Sequence, residues 1–188
     1  MRHKYLAEAI VLARHPHGEA NALITLLTSD FGIIRARAQG LRNPGSKMSP
    51  GLQTLMQSDV SLVRGKEGWR LVGAVLVRAW ALELSPAARN RAGRVFDLMQ
   101  RLVHGEDAEP RLYAIAWSLL EALTHLEEES ADAAEMLAAL RVLHALGLDA
   151  GQMPGTAEEY ASEALDEITR ARKGYISRIN TGIAASGL

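Results

Sequence analysis

Cysteine is absent from the 188 residues, and aromatic residues make up only 5% of them. Without cysteine the chain can form no disulfide, no thiolate nucleophile and no cysteine-based zinc site. No apolar run approaches the roughly 18 to 20 residues that cross a bilayer, and the N-terminus lacks the apolar core of a secretory signal. With 48% hydrophobic and 23% charged residues, we expect a globular cytoplasmic protein.

The common catalytic and nucleotide-binding motifs are also missing. The chain contains no P-loop, no GxGxxG, no HExxH and no GxSxG. Its first 80 residues have few carboxylates, scattered among predicted turns and strands: Glu8, Glu19, Asp30, Asp59 and Glu67. Because a nuclease or other enzyme would need such groups clustered, we expect a protein that is not an enzyme and that uses no cofactor.

Two local clusters of potential metal ligands are better explained without a metal. His15, His17 and Glu19 lie around a predicted hairpin turn, which normally exposes such side chains, and no further ligands accompany them. The acidic run over residues 127–129 is typical of a solvated loop or helix end. The sequence therefore predicts no metal site.

The net charge of −1 conceals two halves of opposite sign. Residues 1–80 contain eleven Lys and Arg against five Asp and Glu, a balance of +6, whereas residues 81–188 contain ten against seventeen, a balance of −7. A locally basic domain attracts polyanions, and an acidic helical domain favours protein contacts or solubility. We therefore expect two domains, over residues 1–80 and 81–188, with different partners.

The basic half shows the pattern of short strands separated by turns. Strands are predicted over residues 4–14, 20–28, 34–39, 55–64 and 69–77, with turns at His15–Gly18, Ser29–Gly32 and Gly65–Gly68. In the third strand, small and apolar residues alternate with Arg35 and Arg37, so one face is core and the other is cationic. Five strands with a long connection after the third fit an OB-fold barrel, and an open five-stranded sheet is the alternative.

The acidic half changes to the helical period. Capping residues, prolines and glycines predict four helices: one from Pro86, capped by Ser85, to near Gly105; one from Pro110; one from Ser130 to Gly147; and one from a Thr156/Glu159 capping box to Gly174. The fourth helix would carry Arg170, Arg172 and Lys173 in its last turn. A short, fraying helix is expected beyond it. The predicted fold is thus a five-stranded barrel followed by an all-helical domain.

The strongest functional signal is the basic segment over residues 35–53. Arg35 and Arg37 share one exposed strand face, and Arg42 and Lys47 follow in a flexible connection, so cations can track a phosphate backbone without rigid register. Composition alone equally fits a solvated strand face with a charged loop. More cations surround the next hairpin and favour nucleic acid: Arg64, Lys66 and Arg70.

Aromatic side chains that could stack on bases are scarce in the basic half. Trp69 is in phase with Leu71, Val75 and Val77, which predicts a core position for its indole. Nucleic-acid binding is therefore expected to be mainly electrostatic and weakly selective for sequence.

Residues 8–53, EAIVLARHPHGEANALITLLTSDFGIIRARAQGLRNPGSKMSPGLQ, resemble the N-terminus of the bacterial RecO family of DNA repair proteins. The shared pattern is an apolar strand ending in Arg, a turn with Gly-Glu, a second apolar strand, a polar turn with Gly, and a basic RA-x-G-x-R-x-P-x-S connection. In this chain its elements are Arg14, Gly18-Glu19, residues 22–27, Gly32, and Arg37 to Arg42 with Pro44 and Ser46.

The resemblance implies an OB domain followed by helices and a non-catalytic role in recombinational repair. It implies binding of single- and double-stranded DNA, annealing of complementary strands, loading of recombinase together with RecR, and contact with the single-strand DNA-binding protein, in the bacterial cytoplasm and at the nucleoid. By motif position it implies five DNA contacts: Arg14, Arg35, Arg37, Arg42 and Lys47.

The chain departs from that family in two respects. Many members carry a four-cysteine zinc site in the C-terminal half, whereas this chain has a short loop near residues 149–155 and is shorter than typical members. The resemblance therefore implies a zinc-free variant. A protein-interaction adaptor, whose acidic helices dock a partner without DNA binding, is the alternative function.

Overall fold

The computed structural model describes residues 3–103, 109–155 and 159–187. It divides into two compact units: a strand unit with the described residues up to Glu83 and also Glu109 and Pro110, and a helical unit with the other described residues. Within the described ranges, no helix is both long and apolar enough to cross a membrane.

The strand unit is a closed five-stranded barrel. Its strands are β1 (Lys4–His17), β2 (Asn21–Thr28), β3 (Gly32–Ala38), β4 (Gln57–Gly65) and β5 (Gly68–Arg78). They follow the order β1-β2-β3-β5-β4, and β4 closes the barrel against β1. Neighbouring strands are antiparallel except β3 and β5, which are parallel. The barrel confirms the OB-type prediction and excludes the open sheet.

Period-two alternation builds the barrel core. In β3, Ile34, Ala36 and Ala38 are buried while Arg35 and Arg37 are exposed, as predicted. The larger side chains that fill the interior belong to all five strands and include Val11, Ile24, Leu26, Val60, Leu62 and Leu71. The interior is therefore mainly apolar, and most of the charged side chains lie on the outer face.

The first hairpin differs from the prediction. His15, Pro16 and His17 do not form the turn but continue β1, pairing with the first three residues of β2, and the turn follows at Gly18, whose φ is +69°. A proline is tolerated in a strand where its missing N–H is not required. Cross-strand pairing to β2 therefore outweighs the local turn signal.

The β4–β5 hairpin is tighter than predicted. β4 ends at Gly65 and β5 begins at Gly68, so only Lys66 and Glu67 form the connection. Gly65 and Gly68 are register partners, and Gly68 has a φ of +96°, which a side chain would disfavour. This turn holds two opposite charges at the end of the barrel.

Six helices follow the barrel in the described residues: α1 (Trp80–Glu83), α2 (Pro86–Leu102), α3 (Pro110–His125), α4 (Glu128–Ala145), α5 (Ser162–Arg170) and α6 (Arg172–Ala185). The predicted starts at Pro86 and Pro110 are confirmed, and Ser85 Oγ accepts a hydrogen bond from Ala88 N at 3.1 Å. Helix α4 begins two residues before Ser130. The predicted end of the first helix near Gly105 and the predicted cap of the fourth helix at Thr156 lie outside the described residues.

The last two helices correct the prediction for the C-terminal part. Tyr160 and Ala161 precede α5 and are not part of a helix that begins at Thr156. The helix is interrupted at Ala171 rather than ended at Gly174, and Gly174 lies inside α6. Arg172 and Lys173 consequently open α6 instead of ending α5. A glycine inside a helix costs only about 1 kcal/mol, which tertiary packing can outweigh.

Close packing and one ion pair dock α6 in the helical unit. A Cβ added to Gly182 would lie 2.9 Å from Leu143 Cδ1, so only glycine permits this approach of α6 to α4. Arg178 donates from Nε and Nη2 to the two carboxylate oxygens of Asp149, at 2.6 and 2.5 Å. The 14-residue α6 is therefore longer and better held than the short, fraying helix that the sequence predicted.

Candidate nucleic-acid interface

Two arginines meet on the outer face of the barrel where β3 runs parallel to β5. Arg37 is the register partner of Arg70, and its neighbour Ala36 points into the core. Both arginine side chains therefore project outward from the outer face of the barrel. Arg70 is opposite Val63 of β4, which is opposite Lys4 of β1. The register therefore places three cations in one row across four strands.

An open cleft of about 700 Å³ lies at this end of β3, β4 and β5. Four of its lining side chains are cationic and one is a carboxylate, so the cleft favours anions. The cations come from β3, β4, the turn and β5 in that order: Arg37, Arg64, Lys66 and Arg70. The cleft thus unites half of the cations that the sequence singled out.

The one carboxylate of the cleft is paired with a cation. Arg37 Nη1 donates to Glu67 Oε2 at 2.7 Å, and the two side chains are 46% and 81% exposed. Since both groups are largely solvated, the pair contributes little to stability. Arg37 is therefore accessible to an anion that replaces Glu67.

Trp69 forms the apolar wall of the cleft. It is 5% exposed and belongs to the barrel core, so the predicted core position is confirmed. The guanidinium carbon of Arg64 lies 5.2 Å from the centre of the indole ring, within cation–π range. This contact orients Arg64 beside the cleft while its charge stays exposed.

Trp69 also anchors an aromatic cluster at the barrel end. Its ring centre lies 5.3 Å from that of Tyr5 and 5.4 Å from that of Phe31, while Tyr5 and Phe31 are 5.6 Å apart. Such edge and tilted contacts are the preferred arrangements of aromatic rings. The rings are therefore committed to packing one another, and the cleft offers charge more than stacking surface.

The other predicted DNA contacts are placed apart from the cleft. Arg35 is exposed on the outer face of β3, opposite Thr25. Arg42 is held beside the first hairpin, where its Nη1 donates to Gly18 O at 3.0 Å. Lys47 is exposed in the long connection. None of the three lines the cleft.

Arg14 lies on the core side of β1. Its register partner is Ile24, whose side chain is fully buried, and Arg14 Nη1 is buried without a hydrogen-bond partner among the residues that the structure describes. An exposed phosphate contact would require this side chain to turn outward. The structure therefore does not bring Arg14 together with the cations of the cleft.

No group of three or more potential ligands that could hold a metal ion occurs in the part of the chain that the structure describes. His15, His17 and Glu19 accordingly do not form one. His15 and His17 are exposed at the end of β1.

Sequence reasoning missed three features of the interface. Lys4 joins the cation row, Gln39 lines the cleft, and Glu67 pairs with Arg37. The sequence contained a signal for the ion pair, because Glu67 is a carboxylate among the cations around the β4–β5 turn. The positions of Lys4 and Gln39 follow from the barrel register, which local patterns do not contain.

The family of the barrel follows from comparison with known proteins. Residues 1–79, which include every strand of the barrel, match the family model described as "Recombination protein O N terminal". The barrel is similar to the N-terminal domain of RecO. The resemblance of residues 8–53 to RecO is thereby confirmed.

Curated relatives named "DNA repair protein RecO" extend this similarity. The protein of Dehalococcoides mccartyi strain BAV1 is 32% identical over 126 residues, which cover 64% of this chain and 48% of the relative. That of Heliobacterium modesticaldum is 33% identical over 147 residues, covering 76% and 51%. Both alignments are longer than the RecO-type barrel and so continue into the helical unit. The chain spans about half the length of the curated relatives it matches.

Proposed function

We propose that the RecO-type barrel binds the phosphate backbone of DNA in its cationic cleft, and that the protein acts in recombinational DNA repair. The observation that carries this proposal is the convergence of Arg37, Arg64, Lys66 and Arg70 on one cleft. The RecO N-terminal match and the relatives named for DNA repair support the choice of DNA as the polyanion.

The cleft suits a backbone ligand because its cations come from different elements and point to one open space. Phosphate contacts supply sequence-independent affinity, and arginine guanidinium groups can grip phosphate oxygens in pairs. The polar side chains that line the cleft are mostly guanidinium and ammonium groups, which suit phosphate oxygens more than a specific base edge. Both single and double strands are therefore ligands, with weak sequence preference.

Around this cleft, the remaining cations of the barrel extend the path of the DNA. Arg35, Arg42 and Lys47 are exposed and act as secondary contacts. Arg14 contributes only if its partly buried side chain moves outward. DNA binding belongs to the barrel, and the acidic helical unit serves contacts with proteins such as RecR and the single-strand DNA-binding protein.

Annealing of complementary strands needs no catalytic group. A cationic surface that screens the repulsion between two phosphate backbones speeds their pairing. The protein therefore acts without chemistry, as a mediator that brings strands together and assists recombinase loading in the bacterial cytoplasm and at the nucleoid.

The salt dependence of DNA binding tests the proposal. Fluorescence anisotropy with a labelled single strand gives the association constant at several salt concentrations. Neutralising four phosphates predicts that log K falls against log salt with a slope of about −0.7 × 4, or roughly −3. An affinity that does not change with salt, or the absence of binding at low salt, would favour the adaptor function instead.

A strand-annealing assay tests the mediator role separately. Two complementary labelled oligonucleotides are mixed with and without the protein at low salt, and the rate of duplex formation is followed. The protein is expected to raise that rate, and raised salt to abolish the gain. DNA binding without any gain would retain the DNA ligand and remove annealing from the function.

A further inference from the structure

The Arg37–Glu67 pair lines the cationic cleft and links β3 to the β4–β5 turn. The Nη1 to Oε2 distance is 2.7 Å, which is typical of a charge-assisted hydrogen bond. Arg70 is the register partner of Arg37, so a second guanidinium projects from the same face next to this pair. Glu67 therefore places a carboxylate on one of two arginines that lie side by side in the cleft.

The pair is not needed to hold the hairpin together. Gly65 and Gly68 close the turn as register partners, and β4 is paired with β5 along its whole length. Glu67 itself is 81% exposed, and an exposed pair of this kind contributes little to folding. The carboxylate is therefore free to leave Arg37 when a stronger anion arrives.

We infer that Glu67 is an internal competitor that occupies the phosphate position of the cleft and sets its affinity and selectivity. This inference rests on the proposed function. A carboxylate oxygen on Arg37 imitates a phosphodiester oxygen, so DNA must displace Glu67 before a phosphate can reach that guanidinium.

Displacement selects for long polyanions. A single phosphate gains one contact and must overcome the whole cost of separating Glu67 from Arg37. A nucleic-acid strand gains contacts to Arg64, Lys66 and Arg70 at the same time, so the same cost is a small part of its binding free energy. Glu67 thus protects the cleft from small anions while admitting DNA.

The experiment compares Glu67→Gln with the wild type and with Glu8→Gln. Both variants lose one negative charge from an exposed barrel residue, but Glu8 lies on β1 opposite Asp59 and does not line the cleft. Anisotropy with a labelled oligothymidine at fixed salt measures the affinities. Glu67→Gln is expected to bind about two- to fivefold more tightly, the range that one exposed ion pair allows, and Glu8→Gln to change less.

A second pair of variants ties the gain to Arg37. In an Arg37→Gln background, Glu67 has no arginine at position 37 to block. Adding Glu67→Gln to that background is therefore expected to raise the DNA affinity no more than adding Glu8→Gln does. Circular dichroism and thermal melting of each variant verify that folding is intact, and Glu67→Ala repeats the comparison with a different side chain.

The outcomes separate this inference from the proposed function. If the wild type binds DNA but Glu67→Gln and Glu67→Ala gain no more than Glu8→Gln, the competitor is refuted while DNA binding stands. A gain in DNA affinity that persists in full in the Arg37→Gln background also overturns the inference, because the gain would then come from the change in net charge alone. A wild type that does not bind DNA overturns both.

Discussion

Arg37 and Arg70 are register partners across the one parallel strand pair of the barrel, β3 with β5. They belong to segments separated by the long connection and by β4, and they meet only because the barrel closes in the order β1-β2-β3-β5-β4. Two guanidinium groups on adjacent strands repel each other, which an anion relieves. Their juxtaposition gives this face of the RecO-type barrel the positive charge that the proposed DNA site requires.

Arg14 provides a test of which cations serve binding. Its Nη1 is buried without a described partner on the core side of β1, an arrangement that does not favour folding. We expect Arg14→Met to leave the free energy of unfolding unchanged or raise it by up to about 1 kcal/mol, and DNA affinity to change less than twofold. Denaturant titration and anisotropy measure the two. A large loss of affinity would show that Arg14 turns outward to bind DNA.

Trp69 supports both the barrel core and one wall of the cleft. We expect Trp69→Ala to lower the free energy of unfolding by about 3 to 5 kcal/mol, because it empties a large buried site. Trp117→Ala in the helical unit is the matched control, since its indole is 40% exposed. Denaturant unfolding monitored by circular dichroism compares them. Equal costs for the two variants would contradict the core role of Trp69.

The Ser85 cap is a test of helix α2. Its Oγ accepts from Ala88 N, and Pro86 occupies the first helical position. Ser85→Ala is expected to destabilise the helical unit by about 1 kcal/mol, whereas Ser85→Asp, which keeps an acceptor, costs less. Hydrogen exchange of the first turn of α2 reports the change. Identical protection in both variants would mean that the cap carries no stability.

Asp149 predicts how the helical unit responds to acid. The hydrogen bonds from Arg178 hold the pKa of its carboxyl below the usual value, against desolvation, which acts in the opposite direction. A carboxyl whose pKa is lowered by folding stabilises the native state above its unfolded pKa of about 4, and that contribution is lost as pH falls through the lower folded value.

Asp149→Asn should therefore be less stable than the wild type by about 2 kcal/mol near neutral pH. The difference should shrink as the pH falls below about 4, because the unfolded wild-type chain then binds a proton at Asp149 before the native state does, until the native carboxyl is also protonated at its lower pKa. Denaturant unfolding of both proteins between pH 2 and pH 7 measures it. A difference that stays constant over the whole range would show that the ion pair to Arg178 contributes nothing.

Local patterns in the sequence predicted the features that depend on near neighbours. The alternation in β3 separated Arg35 and Arg37 from the core, and the cap at Ser85 marked the start of α2. Such features are encoded by side-chain period and by hydrogen bonds a few residues apart. The RecO-like pattern of residues 8–53 added the barrel topology.

The errors arose where pairing or packing with another element overrules the preference of a single residue. Pro16 stays in β1 because it pairs with Ala22, and Gly174 stays in α6 although glycine favours a helix end. The prediction from sequence of which site residues lie together failed for the same reason. Sequence proximity grouped Arg42 with Arg37, whereas the barrel register groups Arg37 with Arg70.

Two double charge reversals decide whether the cleft is where DNA binds. Arg37→Glu/Arg70→Glu reverses two cations that line it, and Arg42→Glu/Lys47→Glu makes the same charge change on the same barrel outside it. Anisotropy with one labelled single strand at low salt is expected to show binding abolished in the first variant and weakened about tenfold or less in the second, since peripheral phosphate contacts contribute little individually. Equal losses in the two variants, or a stronger loss in the second, would contradict DNA binding in the cleft.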